Sequence, residues 1–174
     1  MSFHLITNTT ITTETALINF PDVFTDKYDC YAVTAFGFTA SDNTVATTEC
    51  KLYDTSGSII TNTNYDWGYL RANDYGTATE ARDVDDVRWD ALWGKFDQSV
   101  DGDSQGAIAY FYNPFASDKF THVSWQSVGG LNGQMQGPHG MGVLSENTSV
   151  AGFQIDFSGP PGTDSGTVSV YGVN

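Results

Sequence analysis

Positive charge is what this 174-residue sequence most lacks: seven Lys and Arg stand against 21 Asp and Glu, a formal net charge of −14. So few cations cannot replace the counterions of a phosphate backbone, which argues against a nucleic-acid partner. The acidity favours solubility and would suit a basic protein surface. Cysteine is nearly missing. Cys30 and Cys50 are the only two, each inside a strand-like run, and two unpaired thiols are expected ahead of a disulfide; alone they cannot build a four-ligand zinc site. Histidine is scarce too: His4, His122 and His139 stand in no metal-ligand spacing with one another or with Cys. No apolar run approaches the roughly 20 residues of a membrane span, and the opening "MSFHLITNTT" has neither the basic nor the apolar region of a secretory signal. Nucleophile elbow, phosphate-binding loop and paired-histidine zinc motif are all missing. No cofactor is expected.

What the chain has in quantity is aromatic residues (14%) and glycine (18 residues), together with abundant Thr and Ser. That mixture favours strands and turns over helices. The length suits one domain, residues 1–174, burying about 70% of its extended-chain surface.

Alternation with period 2 marks strands along most of the chain. Leu5 to Thr9 and Thr15 to Phe20 are the first two, with Ala16, Ile18 and Phe20 sharing a face. "DKYDCYAVTAFGFTA" carries bulky residues in both registers, which predicts a strand covered on both sides. A strand through Lys51 and Tyr53, the turn "DTSG" and then Ser58 to Thr61 read as a hairpin. "NPFASD" links Ala107 to Tyr112 with Phe120 to Ser127, and the Asn-Pro step predicts an extended Asn113. The chain closes with "AGFQIDFS", a Gly-Pro-rich turn and "TVSVYGV". Two stretches break the pattern. "ARDVDDVRWDAL", within residues 64–96, predicts a short helix with Val84, Val87 and Ala91 on one face. Residues 128–148, "VGGLNGQMQGPHGMGVLSENT", predict a long glycine-rich loop. The expected fold is all-β: a single-domain antiparallel β-sandwich, jelly-roll-like, with little helix.

No convergent catalytic set emerges, so an enzyme is not expected. The acidic groups Asp83, Asp85, Asp86, Asp90 and Asp97, Asp101, Asp103 invite a calcium reading, but the second misses the loop pattern of known calcium sites and solvated loops are expected instead. Glu49 and Asp156 come nearest to paired glycosidase carboxylates, yet each fits the solvent side of its strand. Candidate contact residues are therefore aromatic or soft: Trp67, Tyr69, Trp89 and Trp93 in residues 64–96, and Met135, His139 and Met141 in residues 128–148. Tyr75 belongs with the first group. Exposed rings could stack on sugars or anchor a protein interface, and at least half are expected to fill the core.

The pattern as a whole resembles a divergent group of small virion structural proteins of tailed phages of marine and freshwater bacteria. The likeness lies in the paired opening strands running into "YDCY", in "YNPFASDKFTHVSW", and in the closing pair that finishes in a Ser-Gly-Thr strand and "YGV". The resemblance implies a β-sandwich particle component with no catalytic residues. Its partners would be the major capsid protein or other virion proteins, and its place the particle surface after synthesis in the host cytoplasm. A capsid decoration or cement protein, a dimer or trimer with covered strand edges, is the leading expectation. A tail or fibre component that binds host-surface glycans is the alternative, and a glycoside hydrolase comes third.

Overall fold

In the computed structural model, residues 2–40, 46–74, 76–96, 105–131, 134–158 and 162–174 are described. They form twelve strands and no helix: β1 (Phe3–Ile11), β2 (Leu17–Phe20), β3 (Cys30–Ala40), β4 (Ala46–Asp54), β5 (Tyr65–Asn73), β6 (Ala78–Asp86), β7 (Trp89–Phe96), β8 (Gln105–Tyr112), β9 (Thr121–Leu131), β10 (Gln134–Leu144), β11 (Val150–Ser158) and β12 (Thr163–Val173). An eight-stranded sheet in the order β1-β12-β3-β8-β9-β10-β5-β6 packs on a four-stranded sheet in the order β2-β11-β4-β7. All pairings are antiparallel.

Four of those pairings, β1 with β12, β2 with β11, β3 with β8 and β4 with β7, are the rungs of one long hairpin rolled into two sheets. That is a jelly roll. Two hairpins are inserted into it. β5–β6 leaves between β4 and β7, β9–β10 leaves between β8 and β11, and β10 pairs with β5. The insertions widen one sheet beyond the reach of the other.

The core follows from alternation. β8 is buried at every second position, and β11 buries Phe153, Ile155 and Phe157. Phe153 lies at the centre, its ring 4.9 Å from Phe20, 5.6 Å from Phe111, 5.8 Å from Phe24 and 6.0 Å from Trp93. Tyr31, Ala32 and Val33 in β3 are all fully buried, as the double alternation of that segment requires. Cys50 is buried and Cys30 half-buried, and both are free thiols. Burial pushes both thiols up from their ordinary value, so neither is an activated nucleophile.

Three local expectations are corrected. The predicted helix in "ARDVDDVRWDAL" is the end of β6 and the start of β7. Asp85 takes a left-handed φ of 58°, and its N–H donates to Asp66 Oδ1 at 2.9 Å, so the segment turns where a helix would continue. The predicted glycine-rich loop holds the end of β9 and all of β10. Asn113 is not extended; its φ is 52°, a value Asn tolerates better than most residues, and its N–H donates to the Asp29 carbonyl at 2.7 Å. The other turns are smaller departures. After Asp54 the hairpin closes with a single bridge between Tyr53 and Ile59 rather than a full strand. Tyr75, Asp97, Asp101, Asp103 and the Gly-Pro-Pro turn at 159–161 lie outside the described residues.

Candidate functional site

β10 explains how the glycine-rich segment becomes a strand. Its inward positions include Gly140 and Gly142. A Cβ at Gly140 would collide with the indole of Trp125, and one at Gly142 would stand 2.8 Å from Trp89 Nε1. One ring comes from the paired β9 and the other from β7 of the opposite sheet, and both lie directly on the β10 backbone. Trp89 also donates Nε1–H to the Val143 carbonyl at 3.3 Å. Glycine here is a packing requirement, since a side chain would occupy the space of a ring.

The outward positions of β10 carry Met135, His139, Met141 and Val143. Register places His139 opposite Leu70 and Gln126, and Met141 opposite Gly68 and Ser124. β6 adds Arg82 beside Gly68 and Glu80 beside Leu70. These residues border two adjoining hollows on the open face of the eight-stranded sheet, of about 470 Å³ and 510 Å³. The first is lined by Leu70, Glu80, Arg82, His139 and Met141. The second continues past Asp66, Val84, Tyr112, His122 and Ser124. Together they make one trough across β6, β5, β10, β9 and β8. Its apolar residues are open to solvent: Leu70 is 63% exposed, Val84 66% and Met141 70%. Polar groups border them, among them the Tyr112 hydroxyl, 3.1 Å from Ser124 Oγ.

The structure sorts the sequence-predicted contacts into three groups. His139 and Met141 meet in the trough, and Met135 lies exposed farther along the same strand and face. Trp67 and Tyr69 lie on the opposite face of β5. They are half-buried against the core, their ring planes 9° apart and centroids 5.8 Å apart. Trp67 donates Nε1–H to Asp86 Oδ2 at 3.2 Å. Trp89 and Trp93 are fully buried, which removes them as contact residues. β7 packs across the sandwich on β8 and β9, and the space above its indoles is filled. A bulge fixes Trp93: its N–H donates to Thr48 Oγ1 at 3.1 Å, while that hydroxyl donates to the Gly94 carbonyl at 2.8 Å. Leu70, Arg82, Val84, Tyr112 and His122 were missed as trough residues. Period 2 within "MQGPHGMGV" could mark β10, where Met135, His139, Met141 and Val143 share one register, but only the sheet order brings the residues of β5, β6, β8 and β9 beside them.

Carboxylates gather elsewhere, on the open face of the small sheet. Asp156 pairs across strands with Glu49, and Glu49 with Asp90. Arg88 Nε bridges Glu49 Oε2 at 3.2 Å and Asp90 Oδ1 at 3.0 Å, and Lys51 Nζ lies 3.4 Å from Asp156 Oδ2. Burial, then the neighbouring Asp156 and Asp90, push the Glu49 carboxyl above its ordinary value, while Arg88 and Lys51 pull it down. The row sits side by side on one sheet, whereas glycosidase carboxylates flank a bound sugar from two sides. Its evident work is mutual charge balance. Among the described residues no group of three or more His, Cys, Asp or Glu is placed to hold a metal ion, and no helix is long and apolar enough to cross a membrane.

No protein-family model matches the chain, and no curated protein matches it. Among solved structures, a fructofuranosidase variant from Schwanniomyces occidentalis complexed with fructosylnystose aligns at 10% identity with a TM-score of 0.19. The alignment covers 99% of this chain and 34% of that one, so this chain spans about a third of its length. A likeness that slight carries no argument about fold or activity.

Proposed function

We propose that the protein is a non-enzymatic structural component of a tailed-phage particle, a decoration or cement protein seated on the outer capsid shell through the trough of the eight-stranded sheet. The observation that supports this reading is the trough itself. Three large apolar side chains, Leu70, Val84 and Met141, stand more than half exposed within it, and polar groups rim it. An apolar centre inside a polar border is the anatomy of a protein-binding surface. The jelly roll is compatible with the role, as an analogy at the level of fold only. The −14 charge would steer the protein toward basic patches on a shell and raise its on-rate more than its affinity. Binding the assembled shell alone would stabilise that shell by mass action.

Co-sedimentation with shells stripped of the protein tests the reading. The wild type is expected to pellet with the shells and Leu70→Glu/Met141→Glu to remain in solution with an unchanged melting temperature. Equal pelleting of both would overturn it. Immunogold label on intact particles is expected evenly over the heads.

Label confined to the tail would favour a second reading, a tail or fibre component that binds host glycans. The parallel Trp67–Tyr69 pair beside Asp86 supports that alternative, because sugar faces stack on rings and sugar hydroxyls donate to carboxylates. Loss of host-polysaccharide binding in Trp67→Ala would be its signature.

A further inference from the structure

The eight-stranded sheet ends in two very different edges. β6, "ATEARDVDD", carries Glu80, Arg82, Asp83, Asp85 and Asp86 along nine residues. Its ladder with β5 is broken between Tyr65 and Trp67, next to the left-handed Asp85. Charges and a bulge are the devices that keep an edge from pairing with another chain. β1, "FHLITNTTI", has neither charge nor proline, and eight of its nine residues are exposed or half-exposed. In the whole chain no Asp, Glu, Lys or Arg precedes Glu14. Among the described residues β1 pairs with β12 alone, so within them its other side presents unpaired backbone N–H and C=O groups. Phe3, Leu5 and Ile6 are exposed apolar residues on it.

We infer that β1 is the site at which two copies of this chain join, edge to edge and antiparallel, to make one continuous sheet. The occupant follows from charge. Two molecules of net charge −14 repel wherever acidic surfaces meet, and β1 is a long edge on which they meet none. A strand paired antiparallel with its own copy is also self-complementary about a two-fold axis. The irregularity in β1 lies between Leu5 and Thr7, and register with β12 runs unbroken from Thr7 to Ile11. That stretch, rich in β-branched threonine, is the pairing segment, and threonine pairs across strands favourably. The inference concerns self-pairing and does not rest on the role in a particle.

Sedimentation equilibrium on the purified chain tests it. The wild type is expected to be a dimer. Asn8→Glu/Thr10→Glu and Asn8→Lys/Thr10→Lys, at exposed positions of β1, should each raise the dimer dissociation constant by about tenfold or more, because like charges then face one another. Their circular dichroism and melting should still report a folded sandwich. An equimolar mixture of the two variants should form a heterodimer. Amide exchange within Thr7–Ile11 should slow as concentration rises. A monomeric wild type would overturn the inference, as would a dimer insensitive to both charge variants.

Discussion

The two halves of the eight-stranded sheet are built on different plans. β1, β12, β3 and β8 belong to the rolled hairpin and face the four-stranded sheet. Val33, Ala35, Ala109, Phe111, Val168 and Val170 fill that interface by plain alternation of apolar and polar residues. β9, β10, β5 and β6 are insertions, and the small sheet meets β9, β10 and β5 through its edge strand β7. Their inner face is closed by indoles, Trp125 on Gly140 and Trp89 on Gly142, with Trp67 and Tyr69 as a half-open border. Across the jelly-roll half side chain meets side chain, whereas the glycines of β10 leave bare backbone for an indole from β9 and another from β7 of the small sheet. The inserted half also holds the exposed apolar trough. Both halves share one core, and the inserted half carries the surface on which the proposed binding rests.

Breaking the shared centre should produce the largest effect. Phe153→Ala removes a fully buried ring that touches four other aromatics and should cost about 3–5 kcal/mol in urea unfolding. Both halves should melt together. Gly140→Val attacks only the inserted half. It forces Trp125 off the β10 backbone and should cost about 1–3 kcal/mol. Hydrogen exchange should accelerate in β9, β10 and β5 while β12 and β3 stay protected; uniform acceleration would erase the distinction between the halves.

Glu49→Gln probes the small sheet, where the expected effect is smaller and depends on pH. The folded Glu49 carboxyl is raised above its ordinary value of 4.5, so folding favours its protonated form. The associated stability is present below the unfolded value and is lost as pH rises through the raised folded value. The amide variant should therefore gain on the wild type near neutrality and lose that advantage below about pH 4, as read from melting temperature across pH. Arg88→Met should act oppositely near neutrality, because Glu49 and Asp90 both lose their bridge. Least of all should Leu70→Ser/Met141→Ser change stability. Exposed apolar groups support no core, and shifts within about 0.5 kcal/mol are expected, while shell binding falls.

The regular half was legible in the sequence, and the inserted half only in part. "AGFQIDFS" and "GAIAYFY" alternate cleanly because each faces core on one side and solvent or a neighbour on the other, and the structure has them as β11 and β8. "QGPHGMGV" does not look like a strand because two of its inward positions, Gly140 and Gly142, carry no side chain; rings from residues 125 and 89 fill their place. The apparent helical face of Val84, Val87 and Ala91 was an accident of a bulge followed by a turn. His139 and Met141 face solvent, as contact candidates must, whereas Trp89 and Trp93 are buried. A tryptophan near charged residues reads the same whether it covers a glycine or meets water.

By itself the sequence determined that this chain is all-β, that its strands alternate, and that its charge lies overwhelmingly on one side of neutrality. Those are properties of neighbouring residues and of sums, and they need no partner strand to define them. Which tryptophan is core, which face of β10 meets solvent, and which edge of the wide sheet is left uncharged were decided by tertiary structure. Each of these depends on which strand lies alongside, and a strand acquires an inner face only when another layer packs against it.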